Sequence, residues 1–228
     1  MTDAVSVSLY GHWICPFVTR VEFALAQREI AYDLIEVPPT AVRPRDFVMP
    51  ELFELHSPKR EIPMLRIGHA FLADSIPILE WMEREFASNP MLPADPQGRE
   101  LVRERVAWLD AHMFRSMIGI YYGTDPVKIS IASDRLAHDL ACIAEWLGDQ
   151  RWLAGDAPTL AEAVMVPLYV RMVGLQRLGF TGAIPPAIAA HRERCAALDS
   201  WSAVRWSDAQ TDELVARFEK FRVLNAAK

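Results

Sequence analysis

The sequence predicts an α/β N-terminal domain followed by an all-α C-terminal domain. Strand-like and helix-like runs alternate in the first part of the chain, whereas the rest contains only long stretches of helical periodicity. The segment SNPMLPADPQG, rich in proline, lies between the two parts and predicts a linker. We therefore expect one domain over residues 1–88, a linker over 89–97 and a helical domain over 98–228.

The first domain is predicted as strand, helix, strand, helix, strand, strand and helix. AVSVSLYG alternates apolar and polar residues, which indicates a strand closed by Gly11, and PFVTRVEFALAQREI has helical spacing. AYDLIEV is strand-like, and RDFVMPELFELH is a weak helix that we expect to break near Pro50. PMLRIG and AFLAD predict two strands joined at Gly68, and SIPILEWMEREFA predicts a helix with Ser75 as its N-cap.

The second domain is predicted to consist of five helices. RELVRERVAWLDAHMFRSMIGIYYG indicates a long first helix, and ISIASDRLAHDLACIAEWLGD indicates a second. TLAEAVMVPLYVRMVGLQRLG is largely apolar, so we expect it at the centre of the domain, with a kink at Pro167. PPAIAAHRERCAAL and TDELVARFEKFRVL complete the chain.

Composition and charge argue against several classes of protein. The 228 residues are 51% hydrophobic and 24% charged, which is typical of a globular protein. The net charge is -6 and no basic run is present, so a nucleic-acid partner has little support. No stretch approaches the roughly 18 apolar residues of a membrane span, and MTDAVSVSLYG lacks the basic start of a signal peptide. We therefore expect a soluble, cytoplasmic protein without a membrane partner.

Cys15 is the residue whose sequence context most favours chemistry. It ends the loop after the first strand, and Pro16 opens the next helix, because proline suits a first turn in which its missing N–H would have no partner. The sulfur should then lie near backbone N–H groups at the positive end of the helix dipole, which favours the reactive thiolate. The alternative is a buried, inert cysteine that packs as a small apolar residue.

The other cysteines and the histidines show no comparable pattern. Three cysteines, at 15, 142 and 195, are an odd number without framework spacing, so we expect no disulfide scaffold, and Cys142 and Cys195 are interpreted as structural. The six histidines have no metal-ligand spacing, and we expect no metal. Position 18 is Val18, so a Cys-x-x-Cys motif is absent and Cys15 needs a second thiol from outside for disulfide exchange.

Two further stretches fit a site near Cys15. REIPML places Pro63 at the start of a strand, where proline marks an edge or a special bond. LADSIPILEW places Asp74 and Ser75 at the start of a helix, where N–H groups and a hydroxyl can hold a carboxylate. An ordinary edge proline and simple helix capping explain each of these features equally well when each is taken singly.

Together, LYGHWICPFVTRVEFAL, SPKREIPML and LADSIPILEWME resemble the cytosolic glutathione transferase family, and the resemblance covers essentially the whole chain. It implies a thioredoxin-like first domain and a helical second domain. The Cys-Pro-Phe at 15–17 is similar to the omega and lambda types, which use cysteine rather than tyrosine or serine. WLAGDAPTLAEAVMVP resembles the family's N-capping box, with Thr159 and Glu162 in the S/T-x-x-E pattern where the family usually has aspartate at the fourth place.

The resemblance implies a site for glutathione as co-substrate, without a metal. Cys15 would form a mixed disulfide with glutathione or attack a glutathionyl adduct. The backbone of Ile62, before a cis-proline at Pro63, would pair with the cysteinyl part, and Asp74 and Ser75 would hold the γ-glutamyl end. The remaining implied contacts are Phe17, from the Cys-Pro-Phe motif, and Lys59, near the glycyl carboxylate.

Two positions depart from the family's pattern. Arg60 stands where many relatives have a small residue before the cis-proline, which could change how the tripeptide sits. Asp74 is one methylene shorter than the usual glutamate, which leaves the length of the γ-glutamyl contact open.

The resemblance also implies a pocket between the domains for a small hydrophobic or conjugated second substrate. Core packing or a solvated helix face is the alternative for each candidate, and for the individual aromatic residues core packing is favoured. Trp13 precedes Cys15 by two positions and would form a pocket wall or cover the thiol. The other candidates are Trp108, His112, Arg115, Tyr121, Tyr122 and Arg171.

The leading functional hypothesis is a glutathione-dependent thiol transferase or reductase that works through a Cys15–glutathione mixed disulfide. One alternative is a transferase that conjugates glutathione to an electrophile. Another is a non-catalytic binding protein, because the fold alone does not establish catalysis. The resemblance further implies a homodimer.

Overall fold

Four short strands form one mixed sheet in the order β2-β1-β3-β4 in the computed structural model, which describes residues 6–225. The strands are β1 (Val7–Gly11), β2 (Asp33–Glu36), β3 (Met64–Ile67) and β4 (Ala70–Ala73). β1 pairs parallel with β2 and antiparallel with β3, which pairs antiparallel with β4. The turn between β3 and β4 contains Gly68, whose φ of +56° suits a tight hairpin. The start of the predicted first strand, AVSVSLYG, lies outside the described residues.

Three helices complete this part of the chain: α1 (Pro16–Gln27), α2 (Glu51–His56) and α3 (Ser75–Glu85). α1 forms the crossover between the parallel strands β1 and β2, as a parallel connection requires. Its apolar residues Val18, Phe23 and Leu25 are fully buried, as is Leu9 of β1. The sheet and α1 therefore bury a shared core, and α3 packs beside α1.

A buried ion pair fixes the end of α1 to the end of α3. Arg28, at the C-cap of α1, contacts the Glu83 carboxylate and donates to the Phe86 carbonyl. Glu83 also accepts a hydrogen bond from the backbone N–H of Met91 at 3.1 Å. The Arg28 side chain is fully buried, so its charge is removed from water together with its partner's.

The structure divides into two compact units, with the boundary between Met91 and Leu92. This boundary falls inside the segment 89–97 that the sequence predicts as a linker. The next helix already begins at Pro96, and the Asp95 side chain accepts from the backbone N–H of Gly98 at 2.6 Å. The end of the predicted linker is thus the cap and first turn of a helix.

The second unit is helical throughout its described part. Its helices are α4 (Pro96–Tyr122), α5 (Pro126–Leu147), α6 (Leu160–Arg177), α7 (Pro186–Ala196) and α8 (Asp208–Asn225), with a 3-10 turn at Asp199–Ala203. α6 is buried along most of its length and packs against α4, α7 and α8. Gly174 permits the close approach of α8, because a Cβ there would lie 2.9 Å from a methyl group of Leu214.

The predicted fold class, an α/β domain followed by an all-α domain, is confirmed. Helix α2 occupies only the part of its predicted segment after Pro50, in agreement with the expected break there, because proline disfavours helical backbone in the residue before it. One local expectation differs from the structure: Ser75 is the first residue of α3 rather than its N-cap, a position that Asp74 occupies. The buried Pro167 lies inside α6, at the position where the sequence predicts a kink. No helix within residues 6–225 is long and apolar enough to cross a membrane.

Candidate active site

The N-terminus of α1 holds Cys15. Cys15 has an extended backbone at the N-cap position (φ -83°, ψ 121°), and Pro16 is the first helical residue. Its backbone N–H donates to the His12 carbonyl at 3.0 Å, which closes the loop after β1. The Cys15 side chain makes no capping hydrogen bond, so it does not satisfy the N–H groups of the first turn. A buried thiol, 5% exposed, thus lies at the positive end of a helix.

The Cys15 thiol faces the peptide that precedes β3. Its Sγ atom lies 3.9 Å from the carbonyl oxygen of Ile62, and the Ile62–Pro63 peptide bond is cis. Both Ile62 and Pro63 are buried. The fold therefore brings together a thiol and a backbone carbonyl that are 47 positions apart in the sequence.

The N-terminus of α3 contributes Asp74 and Ser75. Asp74 has φ +69° and ψ 137°, a backbone conformation that residues with a side chain rarely adopt, and its carboxylate makes no capping hydrogen bond. Ser75 is 6% exposed, and its Oγ accepts a hydrogen bond from Nη1 of Arg20 at 3.3 Å. Arg20 belongs to α1, so this hydrogen bond connects the helix that begins after Cys15 to the start of α3.

The two remaining residues expected to bind glutathione, Phe17 and Lys59, lie in different settings. Phe17 is half-buried, and the guanidinium carbon of Arg20 lies 4.8 Å from its ring centroid. Lys59 is exposed, in the turn that the Arg60 N–H closes on the Ser57 carbonyl. Arg60, the departure from the family's pattern, has φ +52° and an exposed ion pair with Glu54 at 2.6 Å. Its side chain is thus engaged with α2.

The structure separates the candidate second-substrate residues into several groups. Trp108 stacks on His112 with ring centroids 4.1 Å apart, and it also meets Trp146 of α5 edge-on. His112 Nδ1 lies 2.8 Å from the Trp108 carbonyl. Trp108 therefore takes part in the contact between α4 and α5, and His112 packs against Trp108 on the same helix. Trp13 is half-buried and stacks on His12, and Arg115 is exposed.

Tyr121 and Tyr122 lie at the other end of α4. The Tyr121 ring stacks on Phe218 of α8 with centroids 4.6 Å apart, and Tyr122 meets Phe218 and Phe221 edge-on. Burial raises the pKa of Tyr121, and the charge of Arg171 offsets part of this rise. Tyr121, Tyr122 and Arg171 are thus the candidates that the second unit brings into one neighbourhood.

The two other cysteines have different surroundings. Cys195 is fully buried in α7, and its Sγ lies 3.9 Å from Nε2 of His191. Burial, together with the nearby Glu162 carboxylate, raises the pKa of the Cys195 thiol, which disfavours the thiolate. Cys142 is half-buried on α5, with its Sγ 3.7 Å from a ring nitrogen of His138. Within residues 6–225, no group of three or more His, Cys, Asp or Glu side chains could hold a metal ion.

Sequence reasoning missed Arg20 as a member of this site. Arg20 is 3% exposed and contacts two of the expected glutathione-binding residues, Phe17 and Ser75. One signal was present, because helical spacing places Arg20 on the same face as the apolar residues Phe17, Phe23 and Ala24. Burial of a charged residue on such a face calls for a partner.

Two domain models of one family match this chain. The N-terminal domain model of glutathione S-transferase matches residues 9–90, and the C-terminal domain model matches residues 112–199. Together the two matches cover well over half of the chain. The chain therefore belongs to the glutathione S-transferase family, and its first unit is the thioredoxin-like domain of that fold.

Curated relatives are similar to parts of the chain. Glutathione S-transferase U2 of Arabidopsis thaliana is 33% identical over 105 residues, which are 46% of this chain and 44% of the relative. Maleylpyruvate isomerase of Ralstonia sp is 27% identical over 174 residues, 71% of this chain and 80% of that relative. The chain spans about half the length of several of the curated transferases that it matches.

Solved structures share the fold over nearly the whole chain. Rice GST1, solved in complex with glutathione, has a TM-score of 0.84 at 18% identity and covers 98% of this chain and 99% of its own. Glutathione transferase Omega 3C from Trametes versicolor has a TM-score of 0.80 at 19% identity and covers 96% of this chain and 93% of its own. The rice transferase and the omega transferase both share the fold of this chain. The fold therefore does not single out the omega type that the Cys-Pro-Phe motif indicates.

Proposed function

We propose that the protein is a glutathione-dependent thiol transferase in which Cys15 forms a mixed disulfide with glutathione. The observation that carries this proposal is the Cys15 thiol at the N-terminus of α1, 3.9 Å from the Ile62 carbonyl. A helix N-terminus favours the thiolate over the thiol. The thiolate is the nucleophile in disulfide exchange.

Three parts of the first unit would bind the tripeptide. Pairing of the Ile62 backbone with the cysteinyl residue of glutathione, beside Pro63, would hold the glutathione sulfur close to Cys15. The start of α3, with Asp74 and Ser75, would receive the γ-glutamyl end, because N–H groups and the helix dipole favour a carboxylate there. Phe17 would border the bound tripeptide and the Lys59 ammonium would meet the glycyl carboxylate.

The reaction that fits this arrangement is a pair of thiol–disulfide exchanges. The Cys15 thiolate attacks the glutathionyl sulfur of a mixed disulfide between glutathione and a substrate thiol, and the substrate leaves as a thiolate that takes up a proton. Reduced glutathione, as its thiolate, then attacks the glutathionyl sulfur of the Cys15 adduct. This second step releases Cys15 as a thiolate and yields oxidised glutathione, so one reduced glutathione is consumed for each substrate thiol released, and the disulfide bond passes from the mixed disulfide to oxidised glutathione.

A single thiol at the site is sufficient for this sequence of steps. Position 18 is a fully buried valine, so no second cysteine follows on the first turn of α1. We therefore propose that the second glutathione supplies the resolving thiol.

The first test is intact-mass spectrometry of the wild-type protein and Cys15→Ser after treatment with oxidised glutathione. We expect one glutathionyl adduct on the wild-type protein and none on Cys15→Ser. Turnover of a glutathione mixed disulfide by reduced glutathione should fall at least about 100-fold in Cys15→Ser, because the nucleophile of the reaction is lost. An unmodified Cys15, together with equal turnover by the two proteins, would show that the thiol-transfer mechanism is wrong.

Conjugation of glutathione to an electrophile is the second candidate function. The similarity to Arabidopsis glutathione S-transferase U2 favours it, as does the 5% exposure of Cys15, which limits access of a bulky disulfide to the thiol. In this case glutathione itself would be the nucleophile, and Cys15 would only donate a hydrogen bond to its sulfur. Conjugation of 1-chloro-2,4-dinitrobenzene should then persist in Cys15→Ser while disulfide exchange is absent from both proteins.

Three further parts of the proposal concern the setting of the reaction. We infer a small hydrophobic or conjugated second substrate, for which Tyr122 and its aromatic neighbours are candidates in the second unit. We infer a cytoplasmic location, because the proposed cycle consumes reduced glutathione. We also infer a homodimer, which sedimentation equilibrium of the full chain would detect as a doubling of the 25.8 kDa mass.

A further inference from the structure

We propose that Arg20 is a positioning residue for glutathione, which orients the Ser75 hydroxyl as a hydrogen-bond donor toward the α-carboxylate of the γ-glutamyl group. This inference rests on the proposed glutathione site. It adds to that site a charged residue from α1 that donates a hydrogen bond to the Ser75 side chain.

The first argument is the position of the guanidinium. Arg20 is 3% exposed and Ser75 is 6% exposed, and the Nη1–Oγ hydrogen bond between them measures 3.3 Å. The Phe17 ring lies against the guanidinium, with its centroid 4.8 Å from the guanidinium carbon. Burial of an arginine is costly unless polar partners and aromatic faces offset the loss of hydration. The placement of this charge beside α3 is thus specific rather than a consequence of surface solvation.

The second argument is the hydrogen-bonding capacity of the two groups. An arginine guanidinium carries only donors, whereas a serine hydroxyl has one donor and two acceptor lone pairs. Because Arg20 donates to the Ser75 Oγ, the O–H of Ser75 must donate in another direction. A carboxylate bound at the start of α3 has only acceptors, so it is a matching partner for that O–H.

The third argument is charge. The first turn of α3 contains no acidic side chain, and the Asp74 carboxylate makes no capping hydrogen bond to the helix. The N–H groups and the dipole at the start of α3 therefore favour an anion at the place where the Arg20 guanidinium donates to Ser75. Lysine keeps the positive charge of Arg20 but lacks the planar guanidinium that donates to Ser75. Arg20→Lys should therefore orient the Ser75 hydroxyl less well, which separates the effect of geometry from the effect of charge.

The test measures the affinity of two probes by isothermal titration calorimetry on the full chain. One probe is S-methylglutathione, which has no free thiol to react with Cys15. The other is its analogue with 4-aminobutanoyl in place of γ-glutamyl, which lacks only the α-carboxylate. We expect Arg20→Lys to weaken binding of S-methylglutathione about tenfold and binding of the analogue less than threefold, because only the first probe has the carboxylate that Ser75 would meet.

The matched control is Arg28→Lys. Arg28 is also a buried arginine at α1, but its partners are Glu83 and the Phe86 carbonyl. Arg28→Lys should lower the melting temperature and leave the ratio of the two affinities unchanged. Ser75→Ala and the double variant Arg20→Lys/Ser75→Ala complete a double-mutant cycle. The affinity of the double variant for S-methylglutathione should be about that of the single variant that binds more weakly, because the two residues act through one hydroxyl.

The possible outcomes separate this inference from the proposed function. Equal weakening of both probes by Arg20→Lys, or additive losses in the cycle, would overturn the positioning role while glutathione binding stands. Failure of the wild-type protein to bind S-methylglutathione would overturn the glutathione site and this inference with it. If Arg20→Lys does not fold, Arg20→Gln replaces it, with the same probes and the same expected ratio.

Discussion

The helices of the two units begin in different ways. In the first unit, neither Cys15 before α1 nor Asp74 before α3 makes a side-chain capping hydrogen bond. In the second unit, Asp95, Asp125 and Thr159 cap α4, α5 and α6 with their side chains. Capping removes unsatisfied N–H groups and stabilises a helix, whereas an uncapped N-terminus keeps those groups available to a ligand. Helix α7 of the second unit, which follows Pro185, also begins without a side-chain cap, so the contrast is between the starts of α1 and α3 and the starts of α4, α5 and α6.

The most complete cap in the molecule surrounds the Glu162 carboxylate. Its two oxygens accept from the backbone N–H groups of Leu153 and Thr159, both at 2.6 Å, and from the Thr159 hydroxyl at 2.8 Å. Nε2 of His191 lies 3.2 Å from the same carboxylate, and its Nδ1 lies 2.7 Å from the Tyr169 hydroxyl. Glu162 and His191 are fully buried, so this network joins the start of α6 to α7 without contact with water.

The two buried cysteines show the same contrast. Cys195 lies beside this network, where burial and Glu162 raise the pKa of its thiol. Cys15 lies at the N-terminus of α1, and its side chain does not cap that helix. A buried thiol beside a carboxylate stays protonated and unreactive, whereas a thiol at a helix N-terminus is in the setting that reactive cysteines use.

The largest effect on stability should come from breaking the α6 cap. We expect Glu162→Ala to lower the free energy of unfolding by about 3–5 kcal/mol, because it leaves several buried donors without their acceptor. Urea unfolding followed by far-UV circular dichroism measures this loss. Glu213→Ala is the control, since the Glu213 side chain is 44% exposed in its ion pair with Arg217, and it should cost less than about 0.5 kcal/mol. Similar losses in the two variants would contradict the stabilising role of the Glu162 cap.

The starts of α1 and α6 could be predicted from local sequence. Pro16 after Cys15 predicted the N-cap cysteine of α1, and Thr159 with Glu162 predicted the capping box of α6, because both patterns depend on residues only a few positions apart. The role of Arg20 could not be predicted in this way. Its partner Ser75 is 55 positions away, and their meeting depends on how α1 packs beside α3.

The candidate second-substrate residues illustrate a second limit of sequence reasoning. Trp108 and Tyr122 belong to the same long helix, but they are about 21 Å apart along its axis at about 1.5 Å per residue. Trp108 contacts Trp146 of α5, whereas Tyr122 contacts Phe218 of α8. Aromatic residues that share a helix therefore need not share a pocket, and their partners on other helices decide where each one points.

A smaller effect should appear as a pH dependence of stability at Cys195. Its folded-state pKa is raised above the ordinary value of 9.0 by burial. Above that pH the unfolded chain loses the thiol proton while the folded protein keeps it, so stability falls as pH rises, by up to about 1.4 kcal/mol per pH unit. We expect the fall in unfolding free energy between pH 8 and pH 10 to be about 1 kcal/mol smaller in Cys195→Ala than in the wild-type protein.

The same urea unfolding series at each pH provides this measurement. Cys142→Ala serves as the control for loss of one thiol elsewhere in the helical unit. The pKa of Tyr169 is raised by burial and also by the nearby Cys195, so the comparison is made in a Tyr169→Phe background, in which the difference between the proteins isolates Cys195. Identical pH slopes for Cys195→Ala and the wild-type protein would contradict the assignment of Cys195 to the protonated state.

The smallest expected changes in the free energy of unfolding come from two glycine substitutions, and they have opposite signs in the two units. Asp74→Gly should raise the free energy of unfolding by about 1 kcal/mol, because glycine relieves the backbone strain at φ +69° and only part of this gain is offset by the greater freedom of the unfolded chain. Asp95→Gly should instead lower it by a few tenths of a kcal/mol, because it removes the hydrogen bond to the Gly98 N–H.

Binding should separate the same two variants. Asp74→Gly removes a proposed γ-glutamyl contact, so its affinity for S-methylglutathione should fall several-fold while its stability rises, and Asp95→Gly should bind as the wild-type protein does. Unfolding in urea and calorimetric titration of the same preparations measure both quantities. A less stable Asp74→Gly with unchanged affinity would mean that the strained backbone before α3 serves the fold rather than the ligand. The contrast between the helix starts of the two units would then hold only for α1.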